Sequence, residues 1–232
     1  MNLAIMQPYL FPYIGYWQLI NSVDTFIIYD DVNYMKGGWI NRNNILLAGV
    51  PHYVTLSLNQ SSPNKKINQT EVLDTVANKR KFLGAIESAY NKAPQYKTVF
   101  PIIQECINYS ENNLALYLEH HLKRVSNFLG IKTRIIMSSS IDKNNELTAQ
   151  DKVIEICKKM NANVYINAIG GQELYSHEDF KKFDIDLKFI KTRPISYQQF
   201  RGDFVPHLSI IDIMMFNEPA AIQEFLNAYD LI

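Results

Sequence analysis

The chain opens on a short apolar run, residues 2–6, that stops at Gln7-Pro8. This pattern is typical of a buried strand whose carboxyl end enters a turn. Residues 12–21 then have the spacing of a helix, and the β-branched and aromatic run 25–29 predicts a second strand. A strand, a helix and a strand in such close succession favour a parallel sheet, and therefore an α/β protein.

Beyond this opening, strand and helix patterns alternate to the end of the chain. Strands are predicted at 133–137, 164–167 and 187–190, loops and a hairpin at 30–58, and helices at 70–90, 96–108, 112–128, 209–216 and 219–229, with another helix opened by a Thr148-x-x-Asp151 capping box. We therefore expect one domain over residues 1–232. It has a single mainly parallel, twisted sheet of about five strands, flanked by helices and interrupted by a helical excursion around 70–128.

The charge balance of the chain limits its partners. Lys and Arg number 23, as do Asp and Glu, so no net charge draws the protein to nucleic acid or to an anionic membrane surface. Cys106 and Cys157, each within an apolar helical pattern, have the character of small buried hydrophobes. No apolar run approaches the roughly 20 residues that cross a bilayer. These features predict a soluble, cytoplasmic protein with a small-molecule partner, and they leave open whether it forms a homo-oligomer.

In open parallel α/β sheets, ligands bind beyond the carboxyl ends of the strands. The first unusual segment at such an end is the polar and aromatic turn after the first strand, with candidate catalytic residue Gln7 and candidate binding residues Pro8, Tyr9, Tyr13 and Tyr16. The prolines fix φ, Gly15 allows close helix packing, and the Gln7 amide offers a donor and an acceptor. The alternative is a rigid aromatic turn that closes the edge of the sheet.

A second segment, rich in charge, follows the second predicted strand. Its candidates are Asp30, Asp31, Lys36, Trp39, Asn41, Arg42 and Asn43. The paired carboxylates can hold Mg²⁺ or orient a sugar hydroxyl, and the lysine and arginine can bind phosphate as a point charge and as a planar fork. The tryptophan can stack on a base or a sugar face. The alternative is a solvated loop with an ordinary ion pair.

A third segment follows the strand at 164–167, and its candidates are Asn167, Gly170, Gly171 and Tyr175. Two adjacent glycines between a strand and a helix can expose backbone N–H groups to an anion, as phosphate-cradling loops do. A simple tight turn explains the two glycines equally well. This segment is therefore a candidate phosphate-binding turn with a structural alternative.

Two further candidates, His207 and Ser209, precede the first closing helix. Ser209 can cap that helix with Asp212 at its third position. His207 can act as a base oriented by Asp203 or Asp212, or it can be structural. No zinc site is expected, because the rings of adjacent His120-His121 point to different faces of a helix.

The motifs that combine these segments are Met6-Gln-Pro-Tyr-Leu-Phe-Pro-Tyr-Ile-Gly-Tyr16, Tyr29-Asp-Asp-Val32 with Gly38-Trp-Ile-Asn-Arg-Asn43, Tyr165-Ile-Asn167 with Gly170-Gly-x-x-Leu-Tyr175, and Leu208-Ser-Ile-Ile-Asp212. In this order they resemble the WbqC-like protein family over essentially the whole chain. The resemblance implies a bacterial protein associated with O-antigen and other surface-polysaccharide gene clusters. More loosely, the opening is similar to nucleotidyltransferase-like (HUP-type) folds with a His-Ile-Gly-His motif, whose place Tyr13-Ile-Gly-Tyr16 takes here.

These resemblances lead to a hypothesis: a transferase of surface-polysaccharide biosynthesis that modifies a nucleotide-activated amino sugar by forming an amide on its amine. Its expected roles are phosphate binding by Lys36, Arg42 and Gly170-Gly171, ring packing by Tyr9, Tyr13 and Trp39, orientation by Gln7, Asp30 and Asn41, and general base catalysis by Asp31 or His207. One alternative is an ATP- or NTP-dependent ligase or nucleotidyltransferase, with Mg²⁺ and a nucleotide as cofactor. The other is a non-catalytic subunit that binds a glycan intermediate.

Overall fold

The structure is a computed structural model that describes residues 1–232. Its strands are β1 (Asn2–Met6), β2 (Thr25–Ile28), β3 (Arg42–Leu47), β4 (Val50–Thr55), β5 (Leu58–Asn59), β6 (Glu71–Val72), β7 (Arg134–Met137), β8 (Val164–Ala168), β9 (Asp186–Thr192) and β10 (Tyr229–Leu231). Its helices are α1 (Ile14–Asn21), α2 (Val76–Tyr90), α3 (Tyr96–Asn108), α4 (Leu114–Phe128), α5 (Ala149–Lys159), α6 (His177–Lys181), α7 (Ile210–Phe216) and α8 (Pro219–Leu226). Short 3₁₀ turns lie at Ile67–Gln69, Ser138–Ser140 and Ile169–Leu174.

Six strands form the central sheet in the order β10-β9-β8-β1-β2-β7. All neighbours pair in parallel except β10, which runs antiparallel to β9. Strand β1 is central, since Leu3 pairs with Thr25 of β2 on one side and with Tyr165 of β8 on the other. The mainly parallel α/β sheet flanked by helices is therefore confirmed. The chain order reverses between β1 and β8, and a crevice beyond their carboxyl ends is where such sheets bind ligands.

Each face of the sheet buries its own apolar cluster. Leu3 and Ile5 of β1 point to one face, where they meet Ile156 and Cys157 of α5. Ala4 points to the opposite face, toward the larger core that contains α1, α2, α3 and α4. Alternate residues of a strand point to opposite faces, so this uninterrupted apolar run suits a strand covered on both sides. The apolar face predicted for α5 is buried as expected.

The structure differs from the sequence-based expectation at three places. The sheet has a sixth strand, because the last helix ends at Leu226 and the remaining chain returns as β10 beside β9. The predicted loop at 42–43 is the start of β3, which pairs with β4 in a separate hairpin. Thr148 is the N-cap of α5, but its side chain makes no capping hydrogen bond, so the predicted capping box is absent.

Two sequence-level expectations on composition can be compared directly with the structure. Cys106 and Cys157 are buried and unpaired, and burial raises the pKa of each thiol to about 12. Both therefore behave as small apolar side chains, as predicted. None of the helices is long and apolar enough to cross a membrane.

Candidate functional site

A cleft of about 700 Å³ opens beyond the carboxyl end of β9 and beside the first turn of α1. Its walls are formed by the turn after β1, by Trp39 and strand β3 of the hairpin, and by residues of the segment 190–208. The aromatic, polar and charged side chains that line the cleft include Tyr9, Tyr13, Trp39, Asn43, Lys191, Thr192, Arg193, Tyr197 and His207. This volume is within the usual range for small-molecule sites, and the position agrees with the crevice expected from the strand order.

Backbone hydrogen bonds fix the turn after β1. The Tyr16 hydroxyl donates to the Gln7 carbonyl at 2.8 Å, and the Trp17 indole donates to the Pro12 carbonyl at 2.9 Å. The Leu10 amide donates to the Trp39 carbonyl at 3.1 Å, which joins the turn to the segment before β3. Because these groups are buried or half-buried, an unmade bond would be costly, and the turn has a single arrangement.

Phe11 holds the strained position of the same turn, with a φ of 42°. Its carbonyl accepts hydrogen bonds from the Asn43 side-chain amide at 3.0 Å and from the Ser209 hydroxyl at 2.7 Å. Ser209 also accepts from the Ile211 amide, so the predicted helix cap is present at α7. A non-glycine residue in the left-handed region costs free energy and persists only where neighbours hold it. Asn43 and Ser209 therefore shape the cleft from behind it.

Tyr13 is the most exposed side chain of the turn, at 40%. Its ring lies over Gly15, where any Cβ atom would overlap it, so Gly15 is needed to seat the ring against α1. Burial raises the pKa of Tyr13 above its ordinary value, and a hydrogen bond with Thr192 partly opposes this shift. The phenol therefore stays protonated at neutral pH and presents a hydrogen-bond donor to the cleft.

The opposite wall is fixed by Asp212, which is fully buried in α7. Its carboxylate accepts hydrogen bonds from the Tyr90 hydroxyl at 2.8 Å, the Tyr197 hydroxyl at 2.6 Å and the Gln199 amide at 2.7 Å. Burial raises the pKa of Asp212 above its ordinary range, although the three hydrogen bonds act in the opposite direction. Gln199 also bonds both backbone groups of Val205, so Asp212 holds the segment that lines the cleft.

The cationic side chains that line the cleft are Lys191 and Arg193, His207 adds an imidazole ring, and no Asp or Glu lines it. Arg193 pairs with exposed Asp230, to which its Nε donates at 3.0 Å. Lys191 forms no ion pair. His207 is exposed at a φ of 59°, and neither Asp203 nor Asp212 bonds to it, so the predicted orientation of its ring by a carboxylate is absent. The cleft is therefore suited to an anionic ligand.

The structure brings five of the sequence-predicted residues together at the cleft: Tyr9, Tyr13, Trp39, Asn43 and His207. Tyr16 and Pro8 are buried behind the turn, and the Tyr16 hydroxyl is committed to Gln7. The Gln7 side chain is half-buried and makes no hydrogen bond. It lies at the carboxyl end of β1, at the point where the strand order reverses.

Lys36, Asn41 and Arg42 of the second segment lie outside the cleft. The Arg42 guanidinium donates to the Gly38 carbonyl at 3.1 Å and to Gly37, and it stacks 4.6 Å from the centre of the Tyr53 ring. Asn41 accepts from the Tyr34 hydroxyl and donates to the Leu56 carbonyl, both at 2.9 Å. These side chains hold the approach to the β3–β4 hairpin. Lys36 is exposed and has no partner.

The neighbouring carboxylates Asp30 and Asp31 are both buried but have different partners. Asp30 accepts from the Asn68 side chain at 3.0 Å and from the Ser139 amide at 2.9 Å, which joins the loops after β2 and β7. Asp31 lies 3.0 Å from the ammonium groups of both Lys143 and Lys152. Burial alone would raise the pKa of Asp31, but the neighbouring Lys143, Ser138 and Lys152 outweigh it and lower that pKa. Neither carboxylate is placed as the free Mg²⁺ ligand that the sequence suggested.

The third segment forms the 3₁₀ turn after β8. Asn167 is buried and accepts from the Ala168 amide at 2.8 Å, while Gly170 is exposed. A Cβ atom at Gly171 would lie 2.6 Å from the Asn167 amide, so this glycine permits close contact with Asn167. Tyr175 packs its ring 5.7 Å from that of Tyr165. These residues lie on the α5 side of the turn, and only Ile169 of the turn lines the cleft.

Sequence reasoning missed the residues at and beyond the carboxyl end of β9, namely Lys191, Thr192, Arg193 and Tyr197. A signal was present, because Lys-Thr-Arg-Pro directly follows the predicted strand 187–190 and so lies at a carboxyl end. Lys143 and Lys152 were also missed. They are single lysines in a polar loop and in a helix, and only the tertiary fold brings them to Asp31.

The fold and the cleft define an α/β protein with a ligand crevice at the point where the order of its parallel strands reverses. The chain belongs to the WbqC-like protein family, which matches residues 7–224. It is similar to the uncharacterized protein Rv1507c of Mycobacterium tuberculosis (strain ATCC 25618 / H37Rv), with 26% identity over 228 residues, which are 97% of each chain. No solved structure matches it.

Proposed function

We propose that this protein is a transferase of bacterial surface-polysaccharide synthesis, which binds a nucleotide-activated amino sugar in the cleft and forms an amide on the sugar amine. The observation that carries this proposal is the combination of exposed aromatic rings with cationic side chains, and no carboxylate, in one cleft of about 700 Å³. The surface-polysaccharide context is what the resemblance to the WbqC-like protein family implies.

The cleft matches the two halves of such a ligand. Tyr13 and Trp39, 40% and 42% exposed, offer ring faces to a base or a sugar. Lys191 and Arg193 offer positive charge to a diphosphate, and Lys191 forms no ion pair, although Asp230 is opposite it on β10. The strand order, with β1 central and α1 starting beside the cleft, supports the comparison with nucleotidyltransferase-like (HUP-type) folds.

The proposed reaction needs few groups from the protein. The neutral sugar amine attacks the carbonyl carbon of an acyl thioester, a base takes one proton from the nitrogen, and the carbon–sulfur bond breaks to release a thiolate, to which the base passes that proton. His207, the only imidazole in the cleft lining, is the group that can take this proton. In this proposal Lys191 and Arg193 bind the phosphates, in place of Lys36 and Arg42, which lie outside the cleft.

A thermal-shift screen tests the proposal with matched pairs of nucleoside-diphosphate sugars that carry either an amine or a hydroxyl. A ligand at 100 times its dissociation constant stabilises a protein by about 2.7 kcal/mol. We expect the amino sugar to give the larger shift, and the Lys191→Met variant to reduce it. Lys36→Met is the control, since Lys36 is an exposed lysine outside the cleft. The proposal fails if no nucleotide sugar stabilises the protein, or if Lys191→Met and Lys36→Met behave alike.

One observation favours a second function, an ATP- or NTP-dependent ligase or nucleotidyltransferase. Tyr13-Ile-Gly-Tyr16 begins α1 at the cleft, in the place where the His-Ile-Gly-His motif stands in nucleotidyltransferases. Against it, the Tyr16 hydroxyl is buried and committed to the Gln7 carbonyl. Release of pyrophosphate from ATP with Mg²⁺ would support this function. Ligand binding without turnover when an acyl thioester is supplied would instead favour the non-catalytic binding subunit.

A further inference from the structure

Three ionic side chains meet on the α5 side of the sheet, outside the cleft. Asp31 follows β2, Lys143 lies beyond β7, and Lys152 is in the first turn of α5. Both ammonium nitrogens lie 3.0 Å from the same oxygen, Oδ2 of Asp31. The exposed fractions of the lysine side chains are 1% and 7%. We call Asp31, Lys143, Lys152 and the adjoining Ser138 the lysine cluster.

The members of the lysine cluster have hydrogen-bonding capacity that the protein does not use. Lys143 donates to the Ser138 carbonyl in addition to pairing with Asp31, whereas Asp31 is the single partner of Lys152. The Ser138 hydroxyl is fully buried without a well-aligned acceptor, although it is close enough to Asp31 to help lower the pKa of that carboxyl. Buried polar groups left unpaired cost about 1–3 kcal/mol each. Unused donors and acceptors therefore converge at one point, which is unusual for a purely structural ion pair.

The charges of the lysine cluster do not balance. Two ammonium groups face one carboxylate, which leaves one positive charge in excess. The ring of Tyr29, whose centre lies 5.5 Å from the Lys152 nitrogen, adds no negative charge, because burial and the charge of Asp31 raise its pKa. An uncompensated buried charge is strongly unfavourable unless a counter-ion joins it.

We propose that the lysine cluster is a second ligand site, which binds a phosphate-type oxyanion carried by a second substrate. Lys152 supplies the free positive charge and Ser138 a hydroxyl donor, while Asp31 positions both lysines. Lysine binds phosphate as a point charge, and one anion balances the excess charge. The side chains of Asp31 and Lys152 each keep a small exposed fraction, 6% and 7%, so the site lies directly beneath the surface.

This inference is independent of the function proposed for the cleft, since inorganic phosphate alone is the probe. At constant ionic strength set with chloride, phosphate should raise the melting temperature of the wild-type protein to a plateau. The Lys152→Met variant should lose this response. In phosphate-free buffer it should be as stable as the wild type or more stable, because the excess buried charge is gone. Lys159→Met is the control on the same helix, where the lysine is 46% exposed and its response should match the wild type.

Three outcomes would overturn the proposal: no saturable response in the wild-type protein, a full response in Lys152→Met, or loss of the response in Lys191→Met, which would place the phosphate in the cleft. If Lys152→Met does not fold, Ser138→Ala decides, with phosphate affinity measured by calorimetry. The proposed site predicts an affinity about tenfold lower for Ser138→Ala, whereas phosphate bound elsewhere on the protein predicts no change.

Discussion

The cleft and the lysine cluster both lie beyond the carboxyl ends of the central sheet, and they differ in how their charged groups meet solvent. In the cleft, Lys191 and His207 are exposed, and the aromatic rings of Tyr13 and Trp39 line the same space. In the lysine cluster, Asp31 and its two lysines are almost wholly removed from water. Of the 3₁₀ turn after β8, only Ile169 lines the cleft.

This difference determines what a substitution should cost in each place. Water and salt weaken interactions between exposed charges, so a change in the cleft should alter ligand affinity and leave the fold intact. A charge taken out of water depends on its partners, so a change in the lysine cluster should alter the free energy of unfolding.

The Asp31→Asn variant should be the most damaging. It leaves two buried ammonium groups without a carboxylate, and breaking such a pair costs about 3–5 kcal/mol. Asp30→Asn is the matched control, because Asp30 is equally buried but bonds an amide side chain and a backbone amide. Its loss should cost about 1–3 kcal/mol. Urea denaturation measures both, and equal costs would contradict the view that charge burial distinguishes the two sites.

The pH dependence of that cost has a definite sign. The lowered pKa of Asp31 means that its contribution is fully present above the ordinary Asp pKa of about 3.9 and is lost as the pH falls through the folded value. The stability difference between the wild-type protein and Asp31→Asn should therefore shrink below about pH 4. A difference that stays constant down to acid unfolding would show that Asp31 is not held as a carboxylate.

Asp212→Asn tests the carboxylate behind the cleft wall. An amide nitrogen there would face the Tyr197 and Gln199 donors, at a cost of about 1–3 kcal/mol. Because the pKa of Asp212 is raised, the fold favours its protonated form, so the wild-type protein should gain stability relative to the variant as the pH falls through the folded pKa. This sign is opposite to that of Asp31. Urea melts at several pH values measure both stability differences. If the wild-type protein gained stability over both variants, or lost it against both, as the pH falls, the opposite behaviour predicted for Asp31 and Asp212 would be refuted.

Much of the fold could be predicted because its signals are local. The run at 2–6 ends at a proline, and the strands at 133–137 and 164–167 are short β-branched runs between turn residues, so periodicity identifies them. Strand β10 was missed, since an edge strand of only three residues has no pattern of its own and exists only by pairing with β9. Its position depends on tertiary structure that no local pattern contains.

The site was predicted only in part, for a similar reason. Tyr9, Tyr13 and Trp39 could be found because aromatic residues next to prolines or glycines at a strand end are unusual locally. Arg42 looked like a ligand-binding residue, yet backbone carbonyls and the Tyr53 ring hold its guanidinium. The lysine cluster joins residues more than 100 positions apart, and spacing along the chain gives no hint of such a contact.

In the cleft, Tyr13→Ala should reduce affinity without unfolding the protein. Base stacking on an aromatic side chain contributes about 1–3 kcal/mol, so the dissociation constant of a nucleotide sugar should rise at least about fivefold. Stability should change by no more than about 0.5 kcal/mol, since the ring is partly exposed. Tyr109→Ala is the control, because Tyr109 is 37% exposed but lies outside the cleft. Calorimetric titration that shows equal losses for both variants would remove Tyr13 from the binding surface.

Gly15→Ala sharpens the role of Tyr13 by moving its ring rather than removing it. The new methyl group would overlap the ring, which must swing away from α1 into the cleft. We expect affinity to fall by less than tenfold, under about 1.4 kcal/mol, because the ring is kept but misplaced. Stability should stay level or rise by up to about 1 kcal/mol, since alanine is the better helix former.

The matched variant is Gly84→Ala in α2, where nothing lies within 4 Å of the added methyl group. It should bring the same helix stabilisation with no change in affinity. Calorimetry and urea melts on the two variants separate ring placement from helix propensity. If Gly15→Ala binds the ligand as tightly as Gly84→Ala, the position of the Tyr13 ring over Gly15 does not affect ligand affinity. The cleft would then tolerate a mobile ring, whereas the lysine cluster requires charged groups in fixed positions.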